Sequence, residues 1–335
     1  MRASLTPNLQ VLIIYNPTAG QSSNLKNTLD RVANLWRDRG WQVQIAATTA
    51  PGDATTKAAQ AAQAGYNAVI AAGGDGTVNE VMNGLVGTAT ALGTLPLGTV
   101  NIWAREMGLS MDLLKAAESL SKSELTKIDV GMAGNRHFLL MAGIGFDAAV
   151  TATVRSEEKK LLGAIAYIKQ AIQVAWNFRG VRLKLRIDGR RVRGKILMVI
   201  IGNSQLYGGV VKITAHATID DGLLDVCVIK GQGMLSAPRR LISIFARHYN
   251  RDPLVKYYQA KQVEIRGKRG KALPVQVDGD YLGTTPMSFR VIPNSLWILV
   301  PPNADRSLWQ PVWGEDLLVD DPNQPIGVSQ VIIRD

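Results

Sequence analysis

Short apolar segments alternate with segments of helical periodicity from about residue 10 to residue 130. Residues 11–15 read Val-Leu-Ile-Ile-Tyr, as expected of a strand that is covered on both faces. Leu25, Leu29, Val32 and Trp36 then recur at helical spacing. Strands that alternate with helices form parallel sheets with right-handed crossovers. This half of the chain therefore predicts an α/β fold with a doubly wound parallel sheet.

From about residue 128 the strand-like segments follow one another more directly, which is typical of antiparallel pairing. These segments lie at residues 138–142, 182–187, 194–201, 223–229, 263–265, 275–277 and 296–300, and two helices are predicted at residues 157–178 and 237–249. We predict a first domain at residues 8–133 that is completed by a returning segment near 293–303, a mainly β, sandwich-like second domain at 134–292, and a tail of unassigned role at 304–335. A cleft between two such domains is the usual place for a ligand.

The cysteine and hydropathy patterns exclude several classes of protein. The single cysteine, Cys227, lies in an apolar segment, which excludes an internal disulfide and a cysteine-based zinc site. No apolar run reaches the roughly 18 residues that a membrane-spanning helix needs, and the N-terminus lacks the pattern of a secretory signal. Three scattered histidines do not predict a metal cluster. We therefore expect a cytoplasmic protein without a transmembrane segment.

The formal net charge of +11 predicts an anionic partner, such as nucleotide phosphates, nucleic acid or an acidic membrane. Alternation places Arg182, Lys184 and Arg186 on one side of a strand. This side is either a solvated surface or a binding surface, and the sequence favours neither interpretation. The chain has no zinc finger, recognition-helix pattern or aromatic-basic RNA signature, so no nucleic-acid partner is expected.

The sequence Gly73-Gly74-Asp75-Gly76-Thr77 joins an apolar strand to a helix. Glycines let backbone amides approach phosphate oxygens closely, and the start of a helix favours negative charge. A carboxylate among these glycines would repel bare phosphate, so Asp75 fits a site where Mg²⁺ lies between it and a nucleotide. The alternative is a tight turn in which Asp75 caps a helix.

Two further loops follow strands of the predicted parallel sheet, at residues 16–20 and 97–101. Ligands of open parallel sheets bind beyond the carboxyl ends of the strands, so the three loops are expected to meet at one edge. The chain contains no Gly-x4-Gly-Lys-Ser/Thr phosphate loop, no Gly-x-Gly-x-x-Gly dinucleotide fingerprint and no protein-kinase signature.

Together these motifs resemble the diacylglycerol kinase catalytic-domain family, which includes bacterial diacylglycerol kinases, related lipid kinases, and sphingosine and ceramide kinases. The matching segments, spread over roughly residues 8 to 302, are Asn-Pro-Thr-Ala-Gly at 16–20, Gly-Gly-Asp-Gly-Thr-Val-Asn-Glu-Val at 73–81, Gly-Thr-Val-Asn at 98–101, Lys-Ile-Asp-Val-Gly at 127–131, Ile-Asp-Asp-Gly-Leu-Leu-Asp-Val at 219–226 and Val-Asp-Gly-Asp at 277–280. The resemblance implies an ATP-dependent lipid kinase, with ATP bound by the first domain and the lipid by the second.

The resemblance also assigns site residues. Those expected to bind ATP are Asn16, Pro17, Thr18, Ala19, Gly20, Thr48, Gly73, Gly74, Gly76, Thr77, Val78, Asn79, Glu80, Thr99 and Asn101. Those expected to hold Mg²⁺ are Asp75 and Asp129 near the reacting phosphate, and Thr218, Asp221 and Leu223 at a structural ion. Besides Asp75, the implied catalytic residues are Asp278 and Asp280, which are linked to activation of the lipid hydroxyl.

Two departures from the family pattern affect the choice of substrate and base. Ile102 replaces the aspartate of the Asn-Asp-Phe sequence in bacterial diacylglycerol kinases and cannot bind a metal, whereas sphingosine-kinase-like members also lack that aspartate. Asp280 replaces the usual glutamate, and its side chain is shorter by one methylene. Because its carboxylate is withdrawn by that length, Asp278 is an alternative candidate for the base. An Asp-Gly-Asp sequence is equally typical of an ordinary hairpin turn.

The resemblance implies a lipid partner at a membrane surface, with the protein peripheral at the inner face and anionic lipid beneath it. The assembly state stays open, with a homodimer as one option. Residues 161–178 could contact an acyl chain or the membrane. The favoured interpretation is a helix that packs on the second domain. Two other functions are kept: an NAD kinase-like enzyme, since those also use a Gly-Gly-Asp-Gly loop, and a non-catalytic nucleotide- or lipid-binding protein.

Overall fold

The computed structural model describes residues 3–4, 8–18, 24–145, 148, 180–207, 211–214, 216–231, 254–268 and 271–310. The helices in these ranges are α1 (Leu25–Arg37), α2 (Asp53–Gln63), α3 (Asp75–Leu85), α4 (Ile102–Glu106) and α5 (Leu113–Leu120), with a 3-10 helix at Arg306–Leu308. The strands are β1 (Ala3–Ser4), β2 (Gln10–Tyr15), β3 (Gln42–Ala47), β4 (Ala68–Gly73), β5 (Ala91–Pro96), β6 (Glu124–Ala133), β7 (Arg136–Phe138), β8 (Met141–Gly145), β9 (Val181–Ile187), β10 (Arg190–Val192), β11 (Lys195–Gly202), β12 (Leu206–Tyr207), β13 (Val211–Lys212), β14 (Leu224–Lys230), β15 (Val255–Ala260), β16 (Gln262–Gly267), β17 (Pro274–Val277), β18 (Asp280–Thr284) and β19 (Met287–Val300).

The first half of the chain forms a parallel sheet in the order β3-β2-β4-β5. Every residue of β4 and β5 is buried, which agrees with the continuous apolar sequences expected when helices cover both faces. The helix α1 buries Leu29, Val32 and Trp36, and the Trp36 indole donates to the Ala117 carbonyl of α5 at 2.9 Å. On the other helices, Gly84 of α3 lies so close to Thr55 of α2 that a Cβ would collide with its carbonyl.

The second half forms two antiparallel layers. One contains β10-β9-β16-β19 and continues into β6 and β7, and the other contains β15-β14-β11-β8-β17-β18. Side chains such as Phe138, Phe289, Val199 and Val275 fill the space between them. The predicted combination of a parallel α/β sheet with a mainly β, sandwich-like unit is confirmed.

The long strand β19 belongs to both parts of the fold. Its first residues pair with β16, and its last residues run parallel to β5, while β6 pairs with both segments. The register shifts between Ile292 and Leu296, where Asn294 has a φ of 48° and donates its amide to Asp129 Oδ1 at 2.7 Å. The returning segment that the sequence predicts near residues 293–303 is thus the end of a longer strand. The domain limits themselves stay a prediction.

Several local predictions differ from the structure. The single strand predicted at residues 138–142 is divided between β7 and β8. The sequence prediction has no counterpart for β1, β6, β10, β12, β13, β15 and β18. The helices predicted at residues 157–178 and 237–249 lie outside the described residues, as does the tail beyond residue 310. Within the described ranges, no helix combines the length and the apolar surface needed to cross a bilayer.

The buried carboxyl group of Glu106, at the end of α4, joins the two halves. Its Oε1 accepts amide hydrogen bonds from Gln205 at 3.0 Å and Leu206 at 2.6 Å, at the start of the β12–β13 hairpin. Burial raises the pKa of Glu106 to about 7, although these bonds and the nearby Lys212 charge act in the opposite direction. The neutral acid is therefore the form that this interface favours.

We expect Glu106→Gln to flatten the pH dependence of stability. In the natural chain the folded pKa lies above the ordinary value of 4.5, so the stabilisation is complete below pH 4.5 and is lost as the pH rises through 7. Glutamine keeps the accepting oxygen and cannot ionise, so near pH 8 the variant should be more stable by up to about 3 kcal/mol. Urea unfolding across this pH range measures the difference. The exposed Asp30→Asn serves as control, and an unchanged profile for Glu106→Gln would contradict the assignment.

Candidate active site

The loops that follow β2, β3, β4 and β5 lie side by side at the carboxyl edge of the parallel sheet. Asn16 donates its amide to the Ala72 carbonyl at 3.3 Å, and the Thr48 amide donates to Tyr15 at 2.9 Å. The Leu97 amide donates to the Gly73 carbonyl at 3.0 Å. The structure thus brings together the loops that contain the predicted nucleotide-binding residues. Of these residues, Ala19 and Gly20 lie outside the described part of the chain.

Close backbone contacts explain the glycines of this edge. A Cβ on Gly98 would lie 2.9 Å from the Cα of Gly74 and 2.8 Å from Asn101 Oδ1, and a Cβ on Gly73 would overlap the Thr77 side chain. The N-terminus of α3 opens beside these glycines, with Gly74 as its cap residue. A helix start next to exposed backbone is a favourable place for an anionic group.

Asp75 joins the two glycine-containing loops by capping α4 instead of its own helix. Its Oδ2 accepts from the Ile102 amide at 3.0 Å, and its Oδ1 accepts from the Trp103 amide at 3.2 Å. Asn101, the formal cap residue, instead folds its side-chain amide back onto Gly98. Burial raises the pKa of Asp75, and the two amides oppose the shift. The backbone amide of Asp75 itself also donates to this carboxyl group, so one of its roughly four accepting positions remains for a cation.

Asp278 is held by four hydrogen bonds at the junction between the two halves. Its Oδ2 accepts from Asn79 Nδ2 at 2.7 Å and the Leu139 amide at 2.8 Å. Its Oδ1 accepts from the amides of Leu140 at 2.9 Å and Met141 at 3.0 Å. A carboxylate offers about four accepting positions, so these donors occupy all of them. Asp278 therefore acts as an anchor for backbone and is a poor candidate for a base.

The side chains of two predicted nucleotide-binding residues face other parts of the protein. The Asn79 amide donates to Asp278 and to the His137 carbonyl, and its Oδ1 accepts from Arg136. Glu80 Oε2 accepts from the Ala54 amide at 3.3 Å, at the start of α2. Arg136 and His137 were not predicted as site residues, and only their place after the Lys-Ile-Asp-Val-Gly motif could have suggested them.

Asp280 lies two residues beyond Asp278 on the exposed side of the β17–β18 hairpin. Its Oδ2 is 4.0 Å from the position that a Cβ on Gly76 would occupy, so the carboxylate faces the glycine-rich loop. The hairpin therefore presents one carboxylate to the loop and uses the other as its anchor.

A cluster of acidic residues lies around the loop before β14. Asp221 Oδ1 accepts from the Leu223 amide at 2.9 Å, and the Thr218 hydroxyl also bonds to this carboxyl group. Burial raises the pKa of Asp221, and the Asp129 charge adds to the shift. Burial and the Asp221 charge likewise raise the pKa of Asp225 to about 7. Oxygen donors with surplus negative charge suit a hard cation such as Mg²⁺.

Asp129 is fully buried in this cluster and binds backbone on two sides. Its Oδ1 accepts from Asn294 in the irregular part of β19, and its Oδ2 accepts from the Gly222 amide at 2.5 Å. Burial raises the pKa of Asp129. Across the described ranges, no three acidic, histidine or cysteine side chains converge as a metal site. A magnesium ion here would thus need backbone oxygens, and the carbonyls of the predicted residues Thr218 and Leu223 could supply them.

Comparison with known proteins identifies the family. Residues 10–133 match the diacylglycerol kinase catalytic domain, and residues 141–300 match the YegS C-terminal NAD kinase beta sandwich-like domain. Diacylglycerol kinase from Bacillus subtilis is 30% identical over 300 residues, which cover 88% of this chain and 98% of that protein. The chain belongs to the diacylglycerol kinase catalytic-domain family. The resemblance inferred from the motifs is therefore confirmed.

Other members of the family agree in sequence and in fold. Diacylglycerol kinase from Staphylococcus carnosus is 30% identical over 297 residues, which cover 88% of this chain and 96% of that protein. A crystal structure of a diacylglycerol kinase from Bacillus anthracis has a TM-score of 0.70 at 25% identity, covering 90% of this chain and all of that one. A second Bacillus anthracis structure has a TM-score of 0.77 at 27% identity, and the match covers 90% of this chain and 98% of that one.

We expect Asp278→Asn to be destabilising because it places an NH₂ group against N–H donors. One carboxylate oxygen and its two hydrogen bonds are lost, so the free energy of unfolding should fall by about 2 to 4 kcal/mol. The exposed Asp280→Asn makes the same chemical change two residues away and should alter stability by no more than about 0.5 kcal/mol. Chemical denaturation of both variants tests the contrast. Equal midpoints for the two variants would refute the anchoring role of Asp278.

Proposed function

We propose that this chain is an ATP-dependent lipid kinase that transfers the γ-phosphoryl group to a hydroxyl of diacylglycerol, a sphingoid lipid or a related acceptor. The observation that carries this proposal is the placement of Asp280. It is an exposed carboxylate that faces the glycine-rich loop, on a hairpin whose other carboxylate is fixed by four hydrogen bonds. Homologues named diacylglycerol kinase match over most of the chain and support a lipid acceptor.

The nucleotide would bind along the carboxyl edge of the parallel sheet. In this proposal the phosphates lie against the glycine backbone between Gly73 and Thr77 and the start of α3, and the loops containing Asn16 and Thr99 border them. Thr48 lies beside the same edge through its bond to Tyr15. The side chains of Asn79 and Glu80 are used elsewhere, so they would support this site by fixing α3.

Magnesium would be held by oxygen donors of the chain. Asp75 keeps one accepting position at the loop, and Asp221 with the carbonyls of Thr218 and Leu223 would form the structural site. Asp129 lies close enough to Asp221 for their charges to interact and would contribute charge to the structural site, so its predicted place near the reacting phosphate is the less favoured of the two. When bound, the ion neutralises the charge of the phosphates.

Asp280 would act as the base in the transfer step. The lipid hydroxyl oxygen forms the new bond to the γ-phosphorus, the bond from that phosphorus to the oxygen bridging to ADP breaks, and the hydroxyl proton passes to the Asp280 carboxylate. Asp278 would fix the hairpin so that this carboxylate stays within reach of the acceptor. The positioning of reactants supplies a large part of the rate in such transfers.

The acceptor lies in a membrane, so the enzyme would work as a peripheral protein at the inner face of the bilayer. Ile102 argues for an acceptor other than, or in addition to, diacylglycerol. Its backbone amide donates a hydrogen bond to Asp75. Its side chain provides no metal ligand at the position where bacterial diacylglycerol kinases have an aspartate. We propose that the second half of the chain binds the lipid, because it carries Asp280.

A lipid panel tests the function and the base together. With Mg-ATP, the natural chain should phosphorylate at least one of diacylglycerol, sphingosine, ceramide and phosphatidylglycerol. Asp280→Asn should lower kcat by about 10²- to 10⁴-fold, the usual contribution of a positioned base, while leaving ATP affinity unchanged. Phosphate transfer is followed with radiolabelled ATP, and ATP binding by calorimetry. Full activity of Asp280→Asn would remove it as the base.

Loss of the loop carboxylate should act differently from loss of the base. Asp75→Ala should abolish turnover and weaken Mg-ATP binding, and loss of the α4 cap should cost about 1 kcal/mol of stability. Including NAD as an acceptor in the same assay addresses the NAD kinase-like alternative, which the domain description of residues 141–300 keeps open. Normal ATP binding without transfer to any acceptor would instead support a non-catalytic family member.

A further inference from the structure

One surface of the second half carries a cluster of seven basic residues. On β9, Leu183, Leu185 and Ile187 point into the core, and Arg182, Lys184 and Arg186 are exposed on the opposite side. We call this surface and its neighbours the basic face, defined by Arg182, Lys184 and Arg186 on β9, Arg191 and Arg193 at β10, and Arg266 and Lys268 at β16. The seven cations border an open concavity of about 700 Å³.

The strand register places cations directly opposite one another on this face. Arg186 pairs with Arg191 of β10, and Lys184 pairs with Arg266 of β16. Like charges at opposed positions of neighbouring strands destabilise a sheet. Glu264 is the single acid among the residues that line the concavity, and it lies 3.7 Å from Arg186. More than half of the net charge of +11 is therefore concentrated here at a cost to stability.

The arrangement suits a broad anionic surface better than a single anion. Strands lie about 4.8 Å apart and alternate residues of one strand about 6.6 Å apart, so the cations spread over an area larger than one phosphate group. The long side chains rest their apolar stems on the sheet and can direct their charges outward. The lining contains no aromatic residue on which a nucleobase could stack.

We propose that the basic face is the surface on which this protein docks to an anionic lipid bilayer. The inference rests on the proposed lipid-kinase function, because an enzyme with a membrane-embedded acceptor must reach the bilayer. It adds the residues that make the contact, which the expectation of an anionic membrane did not identify. Basic residues near an anionic membrane each strengthen binding about fivefold, so several acting together hold a protein at the surface.

Vesicle sedimentation tests the proposal with two variants of equal charge. Arg182→Gln/Lys184→Gln/Arg186→Gln removes three cations of the basic face, and Lys26→Gln/Arg31→Gln/Lys115→Gln removes three exposed cations of α1 and α5. The first variant should lose roughly a hundredfold in affinity for phosphatidylglycerol-containing vesicles, and the control should bind like the natural chain. Neither should bind vesicles of phosphatidylcholine alone. Sedimentation needs no ATP, so its result does not depend on catalysis.

Stability, activity and competition complete the test. The variant of the basic face should melt close to the control, because the removal of two like-charge pairs offsets the loss of the exposed Arg186–Glu264 ion pair. It should phosphorylate detergent-dispersed lipid at the normal rate and vesicle lipid more slowly. The proposal would be overturned if the two variants bound vesicles equally, whether both bound like the natural chain or both lost the same affinity. Selective loss of binding to duplex RNA, without an effect on vesicles, would assign the face to nucleic acid instead. Inactivity on every dispersed lipid would refute the kinase function separately.

Discussion

The carboxylate of Asp278 and its four donors are the contact on which the rest of the site depends. Three of the donors are the consecutive backbone amides of Leu139, Leu140 and Met141, at the break between β7 and β8, and the fourth is Asn79 of α3. A carboxylate that is removed from water is tolerated when every accepting position is filled. The interaction therefore fixes three things together: the break between two strands, the direction of α3 and the start of the hairpin that carries Asp280.

Asp75 follows the same physical rule at the opposite side of the site. Its oxygens accept hydrogen bonds from the amides of Ile102 and Trp103, and these bonds join the glycine-rich loop to the loop that follows β5. Each of these two aspartates holds a separate segment of backbone in place. The two carboxylates differ in their unused accepting positions. Asp278 has none left, whereas Asp75 can still contact a cation. Residue type alone does not distinguish these two situations.

The sequence was informative about elements and less so about directions of side chains. Apolar strands alternating with helices predicted the parallel sheet, and the motif order predicted which loops would meet. It could not show that the side chains of Asn79 and Glu80 turn away from the glycine-rich loop, because their partners lie on segments far away along the chain. The division between β7 and β8 was missed for the same reason: residues 138–142 read as one apolar strand until Asp278 draws the backbone amides aside.

The sharing of β19 between both halves has a consequence for how the protein is made. The edge of the parallel sheet beside β5 is covered by residues 296–300, which leave the ribosome after almost all of the sandwich. Until then, the edges of β5 and β6 lack this partner, and unpaired strand edges are prone to wrong association. The parallel sheet therefore cannot be completed during early synthesis, and its contacts with β19 are among those of long sequence separation, which form slowly. Truncation before residue 296 would remove a strand from the first half of the molecule, although the cut lies in the second.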